Sequence, residues 1–411
     1  MHPPEAVLEI SATLERHGYD TWCVGGAVRD ALLGLPNSDW DLATTATPQQ
    51  VRQVFRRTIP VGEAHGTIGV LDKANGMHEV TTFRRDVSTD GRHAEVAFGA
   101  SLDEDLARRD FTINAIAYKP RTGVLHDPFG GRDDLARRVI RAVGDPDARM
   151  REDRLRALRG IRFAARFEFT IEPATWDAIV ASAPFLTRLS AERVSQELEK
   201  TMDQVRHPGG ALSLWKKSGA LETLVPALAS IDEGTLAALD CLPVARGPRA
   251  SARKWNRVSA LFWGLNGKAA SRAAVALRFS TARAKWIAHL ADAWYRLGPA
   301  IDAPGDVGDA TLRRWVSTVG RTEFADFWRI VAARATARTP AVVRSVYRRG
   351  LRMAFGNVPL ALGDLALNGD DLIQLGVPKG PEIRLALDRM LNAVLDDPAV
   401  NTPDSLKALL R

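Results

Sequence analysis

The stretch from Val24 to Ala43, VGGAVRDALLGLPNSDWDLA, leaves the chain few choices. It reads as the end of an apolar strand, a Gly-Gly turn, a short helix, a Pro/Asn/Ser turn and a second strand carrying Asp39-Trp40-Asp41. Side chains alternate along a strand, so the pattern predicts Asp39 and Asp41 on one face and Trp40 on the other. Neighbouring carboxylates repel unless a cation lies between them, and a pair of Mg²⁺ ions is the common solution in phosphoryl chemistry. Gly25 and Gly26 carry no Cβ, so a triphosphate can approach their backbone, and the following helix turns its first N–H groups toward it. D-x-D alone is common on solvated strands, and Gly-Gly alone is common in turns. Together, and followed by Arg29 and Asp30, they predict a metal site beside a phosphate cradle.

The flanking sequence supplies the frame. Residues 1–18 have the spacing of an amphipathic helix with Val7, Leu8, Ile10 and Leu14 as its buried stripe. Thr47-Pro48 predicts a capped helix over 48–57. Residues 59–86 read as two strands around a turn at Ala74-Asn75-Gly76, with Glu79, Thr81 and Phe83 on one face of the second. Glu79 is a candidate third carboxylate beside the Asp pair, or equally an exposed strand glutamate. His65 and His78 lack the partner carboxylates of a metal site. DVSTDGRHAEVAFGAS is polar and poor in apolar residues, which predicts a mobile loop centred on Asp90, Gly91, Arg92 and His93. LDEDLARRDFTINAIAY predicts a helix entered through an acidic cluster, with Asp110 and Asn114 one turn apart. DPFGG, Asp127–Gly131, reads as a turn closing the sheet.

Arg151 to Phe167 reads as one helix, with Leu155, Leu158, Ile161, Phe163 and Ala165 interleaved with arginines. Asp153 and Arg156 are three apart and share a face. On spacing alone this is a surface ion pair worth about 0.3–0.5 kcal/mol. Residues 168–200 read as two further helices, begun by Pro173 and Pro184, with Ser190 capping LSAERVSQELEK. Beyond 205 no chemical motif appears, and Ala, Leu, Arg and Trp recur at helical spacing. His289 and Asp292 hint at a metal pair whose remaining ligands are missing.

GGAVRDALLG with DWDLA, followed in order by HGT (His65–Thr67), RRDFTINA (Arg108–Ala115), DPFGG and EDRLR (Glu152–Arg156), resembles the class II, bacterial-type tRNA nucleotidyltransferase/poly(A) polymerase family of the polymerase-beta-like superfamily. The match is dense over the first half and thin beyond it. It implies an α+β fold: a small mixed-sheet nucleotidyltransferase head over 1–144, an all-α neck over 145–205 that recognises the base, and a helical body and tail over 206–411 that binds tRNA. It implies catalysis by Asp39 and Asp41 holding two Mg²⁺ ions, with Glu79 a further metal candidate. Gly25, Gly26 and Arg29 would hold the triphosphate, and Arg109, Asp110 and Asn114 would orient it. Asp153 and Arg156, with Arg159 and Arg162 on the same helix, would meet the nucleotide. Glu192 and Arg193 would brace that helix, and the polar segment 86–101 would be the flexible loop associated with adding the terminal A.

The resemblance gives the Asp153/Arg156 pair a chemical reading. Cytosine and adenine each present an amine donor beside a ring-nitrogen acceptor, which a carboxylate beside a guanidinium complements. Uracil and guanine present the reverse, and a buried unpaired polar group costs about 1–3 kcal/mol. The expected activity is template-independent addition of CCA to tRNA 3′ ends from CTP and ATP. A bacterial poly(A) polymerase and a CC- or A-adding enzyme share the head. A non-catalytic RNA-binding protein would show broken metal carboxylates, and both aspartates are present.

Composition agrees with this reading. At 411 residues the chain predicts two to four units. A hydrophobic content of 45% and a charged content of 26% suit a globular protein, and no apolar run is long enough to span a bilayer. No signal sequence is evident, and two distant cysteines, Cys23 and Cys241, suit a reducing cytoplasm. A net charge of +7 favours a polyanionic partner. The segments ARGPRASARKWNR, KAASRAAVALRFSTARAKW and RSVYRRGLR, basic with interleaved aromatics, predict contacts to an RNA backbone. Oligomeric state is not readable from the sequence.

Overall fold

The computed structural model describes residues 1–36, 39–89, 94–242, 250–334 and 339–410. The chain enters through α1 (Glu5–Arg16), which buries Val7, Ile10 and Leu14 but leaves Leu8 at the surface. Next come β1 (Thr21–Val24), α2 (Gly26–Leu32), β2 (Asp41–Thr44) and α3 (Pro48–Val54). A full capping box starts α3, with Thr47 and Gln50 each satisfying the other's backbone N–H. β3 (Thr58–Gly62), β4 (Thr67–Leu71) and β5 (Met77–Thr82) follow; β4 and β5 are the two expected strands, and β3 is an additional one. β6 (Arg84–Thr89) and β7 (Ala94–Phe98) pair with each other.

The order continues through α4 (Leu102–Ala107), β8 (Ala117–Tyr118), β9 (Leu125–His126), α5 (Gly131–Arg137) and β10 (Val139–Ile140). α6 (Pro146–Glu152), α7 (Leu155–Phe167), β11 (Thr170–Ile171), α8 (Pro173–Ser182) and α9 (Ala191–Gln204) complete the region. Pro184 opens a short 3₁₀ turn instead of the expected second helix, which begins seven residues later at Ala191.

Seven strands form one mixed sheet in the order β3-β4-β5-β2-β1-β8-β9. Every neighbouring pair is antiparallel except β2 and β5, which run parallel. Val24, Ala43, Phe83, Leu106, Ala115, Ala117 and Val143 make one buried cluster on this frame. DPFGG follows the edge strand β9, and Asp127 accepts from the N–H groups of Gly131 and Arg132 at the start of α5. The region expected to be an all-α neck carries one strand, β11, paired in parallel with β10.

Contacts divide the chain into residues 1–201 with 211–226, and residues 202–210 with 227–411. The expected boundary at 144 lies inside the first unit. Among the described residues the second unit is helical. Its Trp263 stacks on Trp294 and Phe327 at 4.9 and 5.0 Å, and a separate cluster near the end gathers Leu367, Leu372, Ala386, Met390, Val394 and Leu406. Arg257 is 1% exposed. Its guanidinium donates to the carbonyls of Met202, Val205, Arg206 and Leu242 at 2.8–3.2 Å. Removing it orphans several buried acceptors at once, each worth about 1–3 kcal/mol. Arg257→Ala is therefore expected to lower the calorimetric transition of the second unit by at least about 3 kcal/mol; an unshifted transition would show that water replaces the guanidinium.

Candidate active site

β1 ends where the chemistry starts. Val24 pairs with Asp41 across the β1–β2 ladder, and Gly25 follows with φ +75°, a backbone that suits glycine. Space demands glycine too. A Cβ on Gly25 would lie 2.9 Å from Arg109 Nη1 and 3.9 Å from Asp41 Oδ2. The Gly-Gly turn thus abuts both an acid and a guanidinium.

The acids gather differently from the alternation argument. Only Asp41 is in β2; Asp39 lies in the segment before it, exposed, while Trp40 is buried. The strand pleat therefore does not place Asp39. The companion of Asp41 on the sheet is Glu79. The parallel β2–β5 ladder begins with Leu42 opposite Val80, so the residues just before that pair, Asp41 and Glu79, are neighbours, and the Glu79 charge acts on Asp41. Burial, then the charges of Asp39 and Glu79, push the Asp41 carboxyl up to about 6 against the pull of Arg109. Among the described residues no three His, Cys, Asp or Glu side chains close into a metal cage. Open carboxylates nonetheless suit Mg²⁺, which takes one or two of them and completes its shell with substrate phosphates and water.

Arg109 is held from behind. Asp105, 1% exposed, binds Arg108 at 2.8 Å and Arg109 at 3.1 Å. Burial pushes the Asp105 carboxyl up, but Arg109 and Arg108 more than offset this and hold it below its ordinary value. In the sequence Asp105 is one of several helix-start acids; its i, i+4 spacing to Arg109 is the signal that sets it apart. The expected helix through Asn114 stops at Ala107, and residues 112–114 form a 3₁₀ turn. Asp110 and Asn114 still meet, Asn114 Nδ2 donating to Asp110 Oδ1 at 2.8 Å. The other Asp110 oxygen accepts from Arg159 at 2.6 Å. Burial raises the Asp110 carboxyl, yet Arg159 and Asn114 outweigh it and bring it to about 2.

The expected single helix over 151–167 is broken. α6 ends at Glu152 and α7 begins at Leu155, so Asp153 sits in the break with extended backbone. The Asp153 and Arg156 side chains each pair elsewhere, although the Arg156 N–H donates to the Asp153 carbonyl at 3.0 Å. Asp153 accepts from the Leu155 N–H at 3.0 Å and from Arg193 at 2.7 Å. Arg156 pairs with Glu152 at 2.6 Å and donates to the carbonyls of Arg149 and Arg108. Both sit at the start of α7, oriented by other partners. The support expected of Arg193 takes the form of a salt bridge. Arg162 is buried, paired with Glu197 of α9 and set over the Phe163 ring, which turns it inward. Arg29 is 4% exposed and likewise points inward.

The segment expected to be a mobile loop is a β6–β7 hairpin along 84–89 and 94–98; its centre, Asp90, Gly91, Arg92 and His93, lies outside the described residues. Gly66 of HGT has φ +86°, and a Cβ there would reach within 2.6 Å of Phe98, so this turn packs against the hairpin base. His78 binds Asp72 at 3.0 Å in the β4–β5 turn, and His289 meets the Val319 carbonyl.

In the basic segments of the second unit the aromatics turn inward. Trp255 and Phe279 are buried edge to face at 5.2 Å, and Arg257 is in the core; residues 243–249 lie outside the described residues. The helix Pro340–Phe355 differs: Arg344, Arg348 and Arg352 are exposed at four-residue spacing, and Phe355 beyond them is 72% exposed.

The acid cluster carries a pH signature. With Asp41 near 6 in the fold and 3.8 as its ordinary value, the folded chain keeps a proton that the unfolded chain releases between these pH values. Stability therefore falls as pH rises from about 4 to 6, and the full penalty stands above 6. Asp41→Asn is expected to stabilise the first unit at pH 8 in a chelator by about 1–3 kcal/mol, with no gain below pH 4. A variant less stable than the parent at pH 8 in thermal melts would refute the repulsion.

Residues 21–141 match the family described as the poly A polymerase head domain, and residues 168–232 match the probable RNA and SrmB-binding site of polymerase A. The CCA-adding enzyme of Geobacillus stearothermophilus is 36% identical over 100% of this chain and 97% of its own length, and that of Geobacillus thermodenitrificans is 36% identical over the same shares. The crystal structure of the Bacillus stearothermophilus CCA-adding enzyme in complex with CTP superposes with a TM-score of 0.76, at 35% identity, covering 100% of this chain and 98% of that one. A Thermotoga maritima CCA-adding enzyme complexed with tRNA shares the fold at a TM-score of 0.68 and 20% identity, covering 99% and 95%. A glycine turn against an acid cluster and an anchored arginine, carried on a sequence similar from end to end to these enzymes, makes this chain a member of the CCA-adding enzyme family.

Proposed function

We propose that this protein adds C, C and A in turn to the 3′ end of tRNA from CTP and ATP, releasing pyrophosphate. The observation that carries the reading is the meeting of Asp41, Glu79, Gly25 and Arg109 where β1 ends and β2 begins, beside the middle of β5. Its full-length similarity to CCA-adding enzymes, rather than to the head alone, favours three-residue addition over poly(A) synthesis. Among the described residues no helix is long and apolar enough to cross a membrane.

Asp39 and Asp41, with Glu79 beside them, would hold two Mg²⁺ ions; when bound, these lower the pKa of the attacking 3′-hydroxyl and neutralise the leaving pyrophosphate. The chain's own residues place the reactants. Gly25 and Gly26 let the triphosphate lie against the backbone. Arg109, stiffened by Asp105, offers a guanidinium fork to it at the glycine turn. Asp110 and Asn114, locked to each other and to Arg159, fix the floor beside it. Asp153 and Arg156 at the head of α7 select the base. Arg193 and Glu152 hold these two in place, so their hydrogen-bonding edges need little reorganisation when a nucleotide arrives. Uracil or guanine there would face acceptor with acceptor and donor with donor.

The tRNA partner is favoured by charge placement in the second unit. Four residues of helix advance about 6 Å, so Arg344, Arg348 and Arg352 present cations at a spacing close to that of successive phosphates. Exposed Phe355 at the end of the row could stack on a base or sugar.

A tRNA lacking CCA, offered CTP and ATP singly and together, tests the proposal. Three added residues in the order C-C-A are expected; a long A tail with ATP alone would replace this reading with a poly(A) polymerase. Asp41→Ala should abolish incorporation while tRNA binding persists, and retained incorporation would remove Asp41 from the mechanism. Changing Arg344, Arg348 and Arg352 together to Ala should weaken tRNA binding and flatten its log–log salt dependence by about 2–3. An unchanged salt slope in filter binding would place the tRNA elsewhere.

A further inference from the structure

We propose that Phe185, Arg188 and Arg154, with Arg151 beside them, form a further RNA-binding surface in the first unit. It takes a phosphodiester of the substrate's acceptor end and stacks an unpaired base on the Phe185 ring. The proposal rests on the RNA-extending activity argued above. Its starting observation is two arginines without acids. Every arginine on α6 and α7 has a carboxylate beside it, from Arg149 with Glu152 at 2.8 Å to Arg166 with Asp30 at 3.3 Å. Arg154, in the break between these helices, and Arg188, at the end of the 3₁₀ turn Ala183–Arg188, have none among the described residues.

What these two arginines share is a ring. The guanidinium carbon of Arg154 lies 4.7 Å from the centre of Phe185, and that of Arg188 lies 5.5 Å from it. Arg154 is largely buried and donates from Nη1 to Ser182 Oγ at 3.0 Å, so it holds the ring from below. Arg188 is exposed, and Phe185 between them is 43% exposed. Arg151 is exposed as well and reaches Asp145 only at 3.8 Å. Burial, then the charges of Arg188 and Arg151, hold the Arg154 guanidinium below its ordinary value. Like charges are thus gathered around an open aromatic face and left uncompensated, and an anion laid over them relieves the crowding.

Guanidiniums packed on an exposed ring suit a nucleic acid. The forks take phosphate oxygens while the ring takes the face of a base. An acidic peptide would use the cations and leave the ring in water. Position narrows the choice further. Arg154 directly follows Asp153 at the head of α7, where Asp153 and Arg156 are proposed to read the incoming base. A strand whose growing end lies at that site reaches the Phe185 surface within a few nucleotides. The nucleotides nearest a tRNA 3′ end are unpaired, so their bases are free to stack. This surface belongs to the first unit, whereas the arginine row of the helix Pro340–Phe355 belongs to the second.

Filter binding of a tRNA lacking CCA, across a range of salt, tests the proposal in the parent, Phe185→Ala, Phe185→Trp and Arg188→Ala. An acceptor-stem hairpin with a blunt end serves as the second ligand, and the KM for CTP is measured at saturating tRNA. Phe185→Ala is expected to weaken tRNA binding about tenfold, and Phe185→Trp to restore it to within about twofold of the parent. Arg188→Ala should flatten the log–log salt dependence by about 1. The KM for CTP should stay within about twofold of the parent in every variant. The blunt hairpin, which offers no unpaired base, should bind the parent and Phe185→Ala alike. Unchanged tRNA affinity in both Phe185→Ala and Arg188→Ala overturns the proposal; if the parent then retains a poly-glutamate peptide that Arg188→Glu releases, the surface serves an acidic protein instead. An equal loss for the blunt hairpin, or a raised KM for CTP at unchanged tRNA affinity, overturns it too. A parent that neither binds nor extends the tRNA would overturn the activity argued above, a failure visible before any variant is made.

Discussion

Everything at this site follows from placing like charges together and leaving them only partly neutralised by protein cations. Asp41 is drawn out of water at the start of β2, beside Glu79 and within reach of Asp39, and its proton is held accordingly tightly. Arg109 is near enough to pull the other way, but Asp105 already holds part of its charge. A site left in this state favours whatever brings positive charge to it. The triphosphate reading and the metal reading are therefore two sides of one electrostatic fact: the acids want cations, and the adjoining glycine turn and arginine want an anion.

A second theme is the division of labour among arginines. The chain has many, and those around the first unit's site fall into two groups by burial. Arg29 and Arg162 are nearly sequestered, each tied to a carboxylate and laid over phenylalanine rings. Arg109, Arg156 and Arg159 are partly open, each oriented by an acid behind it. The buried group stiffens the frame, because a guanidinium fork held at several points and stacked on a ring has few alternative positions. The open group presents donors whose directions are set in advance. Asp110 and Asn114 link the two groups, Asn114 accepting from Arg29 and donating to Asp110, and Asp110 accepting from Arg159.

Much of this was legible in the residues. The strand, glycine turn, short helix and second strand around Gly25 and Gly26 appear as read, as do the β4–β5 turn, the Thr47 cap and the largely helical second unit. Glu79 joins Asp41, although nothing in its own neighbourhood distinguished it from a surface glutamate. Other expectations failed for identifiable reasons. Asp39 lies off the strand because alternation says nothing about where a strand begins. The helix over 151–167 breaks at Asp153, whose carboxylate accepts from the Leu155 N–H and binds Arg193, forty residues away, and helical spacing on either side cannot reveal that partner. The polar segment after Phe83 pairs into a hairpin because backbone ladders form without apolar side chains.

By itself the sequence determined the local grammar and the chemistry on offer: glycines where the backbone turns sharply, carboxylates and guanidiniums in number, caps at helix starts, and an amphipathic period through the second unit. These depend on neighbours within a few residues, where spacing and side-chain type are sufficient. Only the tertiary structure decided which charges meet. The parallel pairing of β2 with β5 brought Glu79 to Asp41, Arg29 of α2 came to lie over Phe163 and Phe167 of α7, and Arg162 came to pair with Glu197 of α9. Such meetings join residues tens of positions apart, and an arginine's role depends on whether an acid or water occupies the space at its tip, which no local pattern records.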